Sequence, residues 1–517
     1  MDKFKIKKNR KFALLLIIAA VGLSLGGNLI GLPFGKSFSK LDAAEVDSQV
    51  AEKSSENSRS REPAKELNEE NDELKGKEEV KLTYELKDDL KSSIDKTFRE
   101  VSIWPDTLSI GKKKAKIEYT FNEQLDAYIK KTLKQYRSDF STVTVVDNAT
   151  GEVLAAVGLD GKNNSFDTKL VLSATHPSAS LIKIITAAEL IQNTKVSRET
   201  PFEFRGRSTT LFKYQLNDSK NNRWDKTQSF ETAFAKSNNV IFGKAAIQNM
   251  DSSKLIKMAE NFGFNKPLFQ EFDFLTSQIH PTSDDYELAE IASGFNDQTV
   301  ISPVHAATMA SIIANKGIMK TPRLIHKLVD TKSGEVIWEN NLVEKRVLTP
   351  EAAKEMHEMM GMTIDGGTAR KSFRKMNTGY KNALEIGGKT GSITGGKPFG
   401  KRDWFAAYAI PRDPERGSGI SISVMNVNVK RWHVKSTMLA KNIIEYYYNN
   451  IKPVPITMVK MPKLISERRY KKSRGNKRAI ASSRLKKKPE ARISKKKTSN
   501  IKRQIGKRNE RKSITTL

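Results

Sequence analysis

The sequence predicts a fold of mixed α and β elements with helices buried in its core. Ser180 is followed by LIKIITAAELI, which is apolar on nearly every side, as expected for a helix inside a core and not for an amphipathic surface helix. Two β-prone runs, EIGGKTGSIT and DWFAAYAI, are separated by a glycine-bearing loop, which predicts adjacent antiparallel strands. Roughly 340 residues surround these segments, enough to bury a sizeable core.

Three short motifs occur in one order along the chain and together predict a serine acyl-transfer site in which lysine carries the proton. They are Ser180-Leu181-Ile182-Lys183, Ser237-Asn238-Asn239 and Lys389-Thr390-Gly391. Each is weak alone, because Ser-x-x-Lys also recurs in polar surroundings elsewhere in the chain. Their context and order raise the specificity of the prediction.

The first motif lies where we expect a buried helix to begin. A helix starting near Ser180 places Lys183 on the same face as the serine hydroxyl, since residues three apart are neighbours. An ammonium group is costly in so apolar a place, so we expect the pKa of Lys183 to be lowered until the neutral amine can accept the serine proton. The free N–H groups of the helix N-terminus favour an oxyanion at the reacting carbonyl.

The second motif lies in FETAFAKSNNVIFGKAAI, which predicts a helix-loop-helix stretch packed into the core. Ser237 can relay a proton between Lys183 and a leaving amine. The Asn239 amide offers a donor and an acceptor to a peptide substrate. A buried serine that caps a helix is the alternative interpretation of Ser237.

The third motif supplies a fixed positive charge at Lys389. Thr390, Ser392 and Thr394 alternate along one strand face, where their hydroxyls can bind a substrate carboxylate. Gly391 leaves room for close backbone approach. The similar tripeptide at residues 332–334 lies in VDTKSGEVIW, whose polar residues between β-rich runs predict a hairpin turn instead.

With these motifs in place, the chain from about Ile117 to about Asn450 resembles the transpeptidase domain of the penicillin-binding proteins, the serine enzymes that cross-link or trim bacterial peptidoglycan. YTFNEQLDAYIKKTL resembles the family's opening strand and helix, VTVVDNATGEVLAAVG its first hairpin, and GGTARKSF its Gly-Thr-Ala turn. GFNDQTVISPVHAATMASIIANKGIMKTPRLI resembles its Gly-x-x-x-Thr-Pro helix segment, with Ile301-Ser302-Pro303 where Thr-Pro is more usual.

The resemblance implies a fold and a set of residue roles. The fold is a central five-stranded antiparallel sheet flanked by helices, like that of serine β-lactamases and D,D-peptidases. The implied roles are nucleophile for Ser180, general base for Lys183, proton relay for Ser237, amide ligand for Asn239, carboxylate binding for Lys389 and Thr390, and an oxyanion hole from the N–H groups of Ser180 and Ser392. The family commonly has Thr at the position of Ser392, which leaves substrate preference open.

The implied reaction is attack on the D-Ala-D-Ala amide of a peptidoglycan stem peptide, with loss of D-Ala and an acyl-enzyme on Ser180. An amine then gives a transpeptidase cross-link, and water gives carboxypeptidase or endopeptidase chemistry. Penicillin and other β-lactams acylate the same serine. A penicillin-binding sensor without turnover and a scaffold remain alternatives. We expect no cofactor and no metal site.

Neighbouring enzyme classes fit the sequence less well. Between Asn239 and Lys389 no Glu is followed four residues later by Asn, so the deacylation motif of class A β-lactamases is missing. The motifs lie 57 residues apart from Ser180 to Ser237 and 152 from Ser237 to Lys389, which favours the larger transpeptidase domain. A Ser-His-Asp hydrolase lacks its Gly-x-Ser-x-Gly elbow here, and we expect His176 to line a loop.

The N-terminal residues predict export. A basic cytoplasmic segment, 1–11, precedes an uncharged stretch, 12–34, whose 23 residues span roughly 34 Å as a helix and can cross a bilayer. The positive-inside rule then predicts a single-pass signal anchor in the plasma (inner) membrane with the catalytic domain on the extracytoplasmic side. A cleaved signal peptide is the main alternative, although no Ala-x-Ala site follows closely. With no cysteine the chain has no disulfide.

The rest of the chain divides by composition. Residues 35–80 are polar and predict a flexible charged linker, 81–114 a short N-terminal extension, and 115–452 the penicillin-binding transpeptidase domain. Fewer than about 85 residues between anchor and domain leave no room for a glycosyltransferase domain at roughly 100–200 residues per domain, so we expect a monofunctional enzyme.

The basic C-terminal residues account for most of the net charge. Of the total of +31, the segment 460–517 holds 23 Lys and Arg against 3 Glu, a net of +20. The segment 453–517 predicts a disordered polybasic tail that binds anionic wall polymers or lipid head groups by charge. A solvated tail without a specific ligand is the alternative. We expect no nucleic acid partner outside the membrane.

Overall fold

The computed structural model describes residues 84–217, 223–272, 277–429 and 431–456. The predicted signal anchor, the charged linker and nearly all of the predicted polybasic tail therefore lie outside the described residues. Within the described ranges, no helix combines the length and the apolar character that a bilayer crossing requires.

Helices and strands are interspersed along the described chain. The helices are α1 (Tyr84–Glu100), α2 (Glu123–Tyr136), α3 (Lys169–Leu172), α4 (Lys183–Asn193), α5 (Lys213–Leu216), α6 (Phe230–Ala235), α7 (Asn239–Asn249), α8 (Ser252–Asn261), α9 (Asp285–Ser293), α10 (Pro303–Ala314), α11 (Pro350–Asp365), α12 (Arg370–Phe373), α13 (Thr378–Ala383) and α14 (Ser436–Asn450). Two 3₁₀ turns occur at Ala179–Ile182 and Pro414–Arg416.

The strands are β1 (Thr107–Ile110), β2 (Lys113–Tyr119), β3 (Phe140–Asp147), β4 (Val153–Asp160), β5 (Ser165–Phe166), β6 (His176–Pro177), β7 (Pro201–Phe204), β8 (Lys226–Ser229), β9 (Val300–Ile301), β10 (Ile318–Lys320), β11 (Ile325–Asp330), β12 (Val336–Glu339), β13 (Glu344–Arg346), β14 (Leu384–Gly395), β15 (Gly400–Pro411) and β16 (Ile420–Asn428).

The central sheet is antiparallel and has six strands, in the order β14-β15-β16-β3-β4-β5. The prediction of five strands was therefore wrong by one, and the extra strand is the two-residue β5 at the edge beyond β4. The chain turns back immediately after β4, because the Asp160 carboxylate accepts the backbone N–H of Lys162 at 2.9 Å and Asn164 adopts a left-handed φ of 52°.

Two predicted strand pairs are confirmed. β14 pairs antiparallel with β15, with Thr390 opposite Phe405. The turn at residues 332–334 joins the antiparallel strands β11 and β12, where the Asp330 carboxylate accepts the N–H groups of Lys332 at 2.7 Å and Ser333 at 3.0 Å. That tripeptide is therefore a hairpin turn remote from the third motif.

Helices cover both faces of the central sheet. The buried side chains of Trp404, Ala406 and Tyr408 belong to one cluster with α4, α10 and α11. The intervening Phe405 and Ala407 belong to a second cluster with α2 and α14. Because side chains alternate between the faces of a strand, this division buries β15 on both sides. The predicted mixed α and β fold is confirmed in this form.

The segment predicted as an N-terminal extension packs on a smaller sheet, which has the order β1-β2-β11-β12. Ile94 on α1 and Leu108 on β1 are buried with Ile117, Leu328 and Phe272 in a third cluster. The extension thus shares a core with β11, which lies more than 200 residues further along the chain, because Leu108 and Leu328 belong to the same cluster.

Candidate active site

Ser180 lies in the 3₁₀ turn Ala179–Ile182, and the α-helix α4 begins at Lys183, slightly later than predicted. Two glycines fix this turn. Gly294 ends α9 with φ of 66°, and a Cβ there would come within 1.9 Å of the Ala179 carbonyl oxygen. A Cβ on Gly391 of β14 would come within 3.3 Å of the Ala179 Cβ. The turn that carries Ser180 is therefore held between α9 and the edge of the central sheet.

Lys183 is fully buried below Ser180. Its Nζ lies 2.9 Å from Ser180 Oγ and 2.7 Å from Asn239 Oδ1, and it also donates to the Ser293 carbonyl. Burial lowers the pKa of Lys183 well below its usual range, and the positive charge of Lys389 lowers it further. The expectation of a lowered lysine pKa is confirmed in direction and cause.

The three neighbours of the Lys183 amine decide which way its hydrogen bonds run. The Ser293 carbonyl can only accept, and Asn239 presents its Oδ1 because its Nδ2 donates to the Thr209 carbonyl at 3.2 Å. A neutral amine has two N–H groups and one lone pair. With both N–H groups bound to those acceptors, the lone pair remains for the Ser180 hydroxyl proton, which is the arrangement that a base requires.

A second serine and lysine pair lies on the floor of the same cleft. Ser237 occupies the loop between α6 and α7 with a left-handed φ of 57°. Lys389 is fully buried, and its Nζ lies 2.9 Å from Ser237 Oγ and 2.9 Å from the Thr390 carbonyl oxygen. Burial lowers the pKa of Lys389 to about 7. The capping role that was the alternative for Ser237 belongs to Asn238, whose side chain accepts the Ile241 N–H.

A cleft of about 820 Å³ opens above the two pairs. The predicted site residues that line it are Ser180, Ser237, Asn239, Thr390, Gly391, Ser392 and Thr394. Lys183 and Lys389 lie beneath it and contact the lining serines. The structure therefore brings all nine predicted residues together. Within the described ranges, no group of three or more His, Asp or Glu side chains is arranged to hold a metal.

Some residues of the site were not predicted. Thr368 lies in the turn between α11 and α12, and its Oγ1 is 2.6 Å from Thr390 Oγ1. Ser293 contributes only its carbonyl, so its side chain gives no signal in the sequence. Phe295, Asp297 and further residues after α9 form one wall of the cleft. The pattern GFNDQ identified the segment but not its position, because that position depends on tertiary packing.

The expectation that His176 lines a loop was wrong. His176 is fully buried in β6, where it pairs with Ile301 of β9. One ring nitrogen lies 2.9 Å from the Leu170 carbonyl oxygen, and the other lies 3.2 Å from Arg402 Nη2. Burial first, and the Arg402 charge second, lower the pKa of His176 to about 3. The histidine is a neutral core residue and no member of a Ser-His pair.

Comparison with known protein families and curated proteins gives the following matches. The family model of the penicillin binding protein transpeptidase domain matches residues 141–445. The peptidoglycan D,D-transpeptidase PbpA of Mycolicibacterium smegmatis is 25% identical over 253 residues, which cover 47% of this chain and 49% of that protein. Penicillin-binding protein 1A of Clostridium acetobutylicum is 25% identical over 355 residues, covering 63% of this chain and 39% of that protein. The chain thus spans half or less of the length of these curated relatives.

Solved structures share the fold. The D,D-transpeptidase domain of a peptidoglycan glycosyltransferase from Eggerthella lenta aligns with a TM-score of 0.51 at 18% identity, over 65% of this chain and 83% of that one. PBPA from Mycobacterium tuberculosis aligns with a TM-score of 0.50 at 20% identity, over 64% of this chain and 82% of that one.

Proposed function

The chain belongs to the penicillin-binding protein transpeptidase family, and from this membership we propose that it is a serine D,D-transpeptidase. The proposed donor is a peptidoglycan stem peptide that ends in D-Ala-D-Ala, and the proposed intermediate is an acyl-enzyme on Ser180. The observation that carries the proposal is the distance of 2.9 Å between Ser180 Oγ and the Nζ of a fully buried lysine, at the floor of a cleft.

In the proposed acylation step, the neutral Lys183 amine takes the proton of Ser180, and Oγ attacks the carbonyl carbon of the penultimate D-Ala. The N–H groups of Ser180 and Ser392 are the proposed oxyanion hole. The direction of the Thr390 carbonyl supports the choice of the Ser392 N–H. This carbonyl accepts from Lys389 and therefore points toward the cleft floor. Backbone groups two residues apart in a strand point to the same side, so the Ser392 N–H points the same way.

The departing D-Ala needs a proton on its amine nitrogen. We assign this transfer to Ser237, whose Oγ lies 2.9 Å from Lys389 Nζ. Its hydroxyl gives a proton to the amine and takes up the proton that Lys183 received from Ser180, which leaves Lys183 neutral for the next step. The lysine supplies positive charge close to the terminal carboxylate of the donor, and the hydroxyls of Thr390, Ser392 and Thr394 line the cleft beside it. Asn239 is the proposed ligand for the donor's backbone amide.

An acceptor amine then attacks the acyl-enzyme and forms the new peptide bond. Attack by water instead gives the carboxypeptidase reaction, with release of a shortened peptide. Both steps use the base at Lys183, so the proposed chemistry is common to both and the acceptor decides the product. A β-lactam is proposed to acylate Ser180 in place of the donor.

The test combines product analysis with mass spectrometry of the full chain. The protein is incubated with a D-Ala-D-Ala pentapeptide and an excess of an acceptor amine, and we expect repeated release of D-Ala together with the amide product. We expect a separate incubation with penicillin to give one adduct, located on the peptide that contains Ser180.

Two results would change the proposal. Release of D-Ala without any amide product would make the protein a carboxypeptidase. A penicillin adduct without any release of D-Ala would make it a penicillin-binding sensor or a scaffold.

A further inference from the structure

The cleft continues past Ser180 along β14 to a lysine on the neighbouring strand. Lys401, at the start of β15, lies opposite Thr394 in the register of the two strands, and both side chains line the cleft. Side chains directly opposite each other in an antiparallel pair lie on the same face of the sheet. The far end of the hydroxyl row from Thr390 to Thr394 therefore lies beside Lys401.

Trp432 holds the Lys401 ammonium in place. The Lys401 Nζ lies 4.6 Å from the centroid of the Trp432 ring, and the Lys435 Nζ lies 3.1 Å from the same centroid. The indole is itself anchored by Asn428. When the Asn428 amide is oriented so that its oxygen and its nitrogen both have partners, the oxygen accepts from Trp432 Nε1 at 2.8 Å. Cation–π contact orients a lysine without neutralising its charge.

The positive charge of this pair faces one buried carboxylate, that of Asp403, and forms no ion pair with it. Among the described residues, neither Lys401 nor Lys435 forms an ion pair. The Asp403 carboxylate acts on both Lys435 and Lys401 from nearby, but it is buried and accepts the backbone N–H of Ser436 at 2.8 Å. Glu290 and Asp297 also line the cleft. At the tryptophan itself, two cations share the single buried carboxylate of Asp403, and the remaining positive charge is complementary to an anion.

The backbone that carries Lys401 is fixed from below. Arg402 points to the opposite face and is fully buried. Its guanidinium donates to the Pro398 carbonyl at 2.8 Å and to the Gly395 carbonyl, which ties the turn between β14 and β15 to the core. The start of β15, which carries Lys401, is therefore tied to the core, and a fixed backbone is the requirement for a specificity contact.

We propose that Lys401, held against Trp432, determines specificity by binding a carboxylate on the donor stem peptide upstream of the bond that is broken. This inference rests on the proposed function. If the terminal carboxylate lies at Thr390 and the reacting carbonyl at Ser392, a donor that pairs with the free edge of β14 runs onward past Thr394. At about 3.3 Å per residue, the second or third residue before the bond reaches Lys401. A donor with a free carboxylate there is preferred over one with an amide or amine.

The experiment compares two pentapeptides that end in D-Ala-D-Ala and differ only in the third residue, whose side chain ends in a carboxylate in one and in the carboxamide in the other. The full chain should release D-Ala with a kcat/KM about tenfold higher for the carboxylate peptide, as one hydrogen bond to a charged group predicts. In Lys401→Gln this ratio should fall towards one through KM, and in Lys401→Arg it should be largely restored. Lys332→Gln, in the remote hairpin turn, is the matched control and should keep the wild-type ratio.

The possible results distinguish a failure of the proposed function from a failure of the inference about Lys401. Release of D-Ala from neither peptide by the wild-type chain would overturn the proposed function and this inference with it. Equal kcat/KM for both peptides, or an unchanged ratio in Lys401→Gln, would overturn the inference about Lys401 and leave the proposed function intact. Because the readout is a ratio measured on one protein sample, partial misfolding of a variant does not imitate the expected result.

Discussion

Two serine and lysine pairs lie side by side on the floor of the cleft, and they are nearly identical by distance. In each, Nζ lies 2.9 Å from Oγ, in the pair of Ser180 with Lys183 and in that of Ser237 with Lys389. Both lysines are fully buried, and each Nζ lies 5.4 Å from the centroid of a phenylalanine ring. A short contact between a serine and a buried lysine therefore does not by itself identify a nucleophile.

The surroundings distinguish the pairs. The turn at Ser180 leads into α4, and no side chain caps its N-terminal N–H groups within the described structure. Ser237 also precedes a helix, but there the Asn238 side chain occupies the N–H of Ile241. Free N–H groups at a helix N-terminus stabilise an oxyanion, and capped ones are already satisfied. The uncapped helix start, more than the lysine contact, therefore favours Ser180 as the nucleophile.

The largest expected effect separates the two serines directly. Ser180→Ala should abolish covalent labelling by fluorescent penicillin, because the attacking oxygen is removed. Ser237→Ala should still be labelled, at a rate lower by about 10²–10⁴-fold, the range for loss of a positioned proton-transfer group. Gel fluorescence over time and intact mass measure both rates.

A matched control for this experiment is Ser333→Ala, in the hairpin turn between β11 and β12, which should be labelled at the wild-type rate. If Ser180→Ala still acquired one adduct and that adduct mapped to Ser237, the second pair would be the nucleophilic one and the argument from the uncapped helix would fail.

The next effect concerns the charges on the two lysines. Burial lowers both pKa values, and the charge of Lys389 lowers that of Lys183 further, so on raising the pH Lys183 loses its proton first. The productive state, with Lys183 neutral and Lys389 charged, exists between the two pKa values. We expect the second-order rate constant of acylation by penicillin to rise through the pKa of Lys183 and to fall near pH 7, where Lys389 is half deprotonated.

Lys389→Arg sharpens this prediction, because a guanidinium stays charged throughout the accessible range. The falling limb of the pH profile should disappear in this variant while the rising limb stays where it was. A falling limb that persists unchanged in Lys389→Arg would show that another group titrates, and the assignment of the two charges would then be wrong.

The two serine and lysine pairs also differ in how far the sequence predicts them. The first pair could be predicted from spacing, because Ser180 and Lys183 are one turn apart and the apolar run around them requires burial. The second pair joins residues 152 apart in the chain, so no local rule brings Ser237 to Lys389, and only the resemblance to a family placed both in one site. The alternation along β14 was predictable for the same reason as the first pair, since it depends on a local period of two.

Contributions from the backbone and from distant loops could not be predicted. The Ser293 carbonyl settles the direction of the hydrogen bonds at Lys183, yet a carbonyl group is common to every residue type. Lys401 acquires its position from the register of β14 with β15, and Trp432 reaches it from beyond β16. A sequence pattern does not specify the register between strands, so neither contact could be predicted from the sequence.

The smallest predicted effect tests the support behind the second pair. Thr368 Oγ1 lies 2.6 Å from Thr390 Oγ1, and the Thr390 carbonyl in turn accepts from Lys389, so Thr368 steadies the strand edge that carries the proposed carboxylate site. Thr368→Val keeps the shape and removes one hydroxyl, which should lower the rate of acylation by about 2–10-fold, the value of one neutral hydrogen bond. Thr227→Val, on the exposed strand β8, is the control and should leave the rate unchanged. A rate in Thr368→Val equal to wild type would show that Thr390 is held by its strand alone, and a loss as large as that of Ser237→Ala would place Thr368 among the groups that touch the substrate.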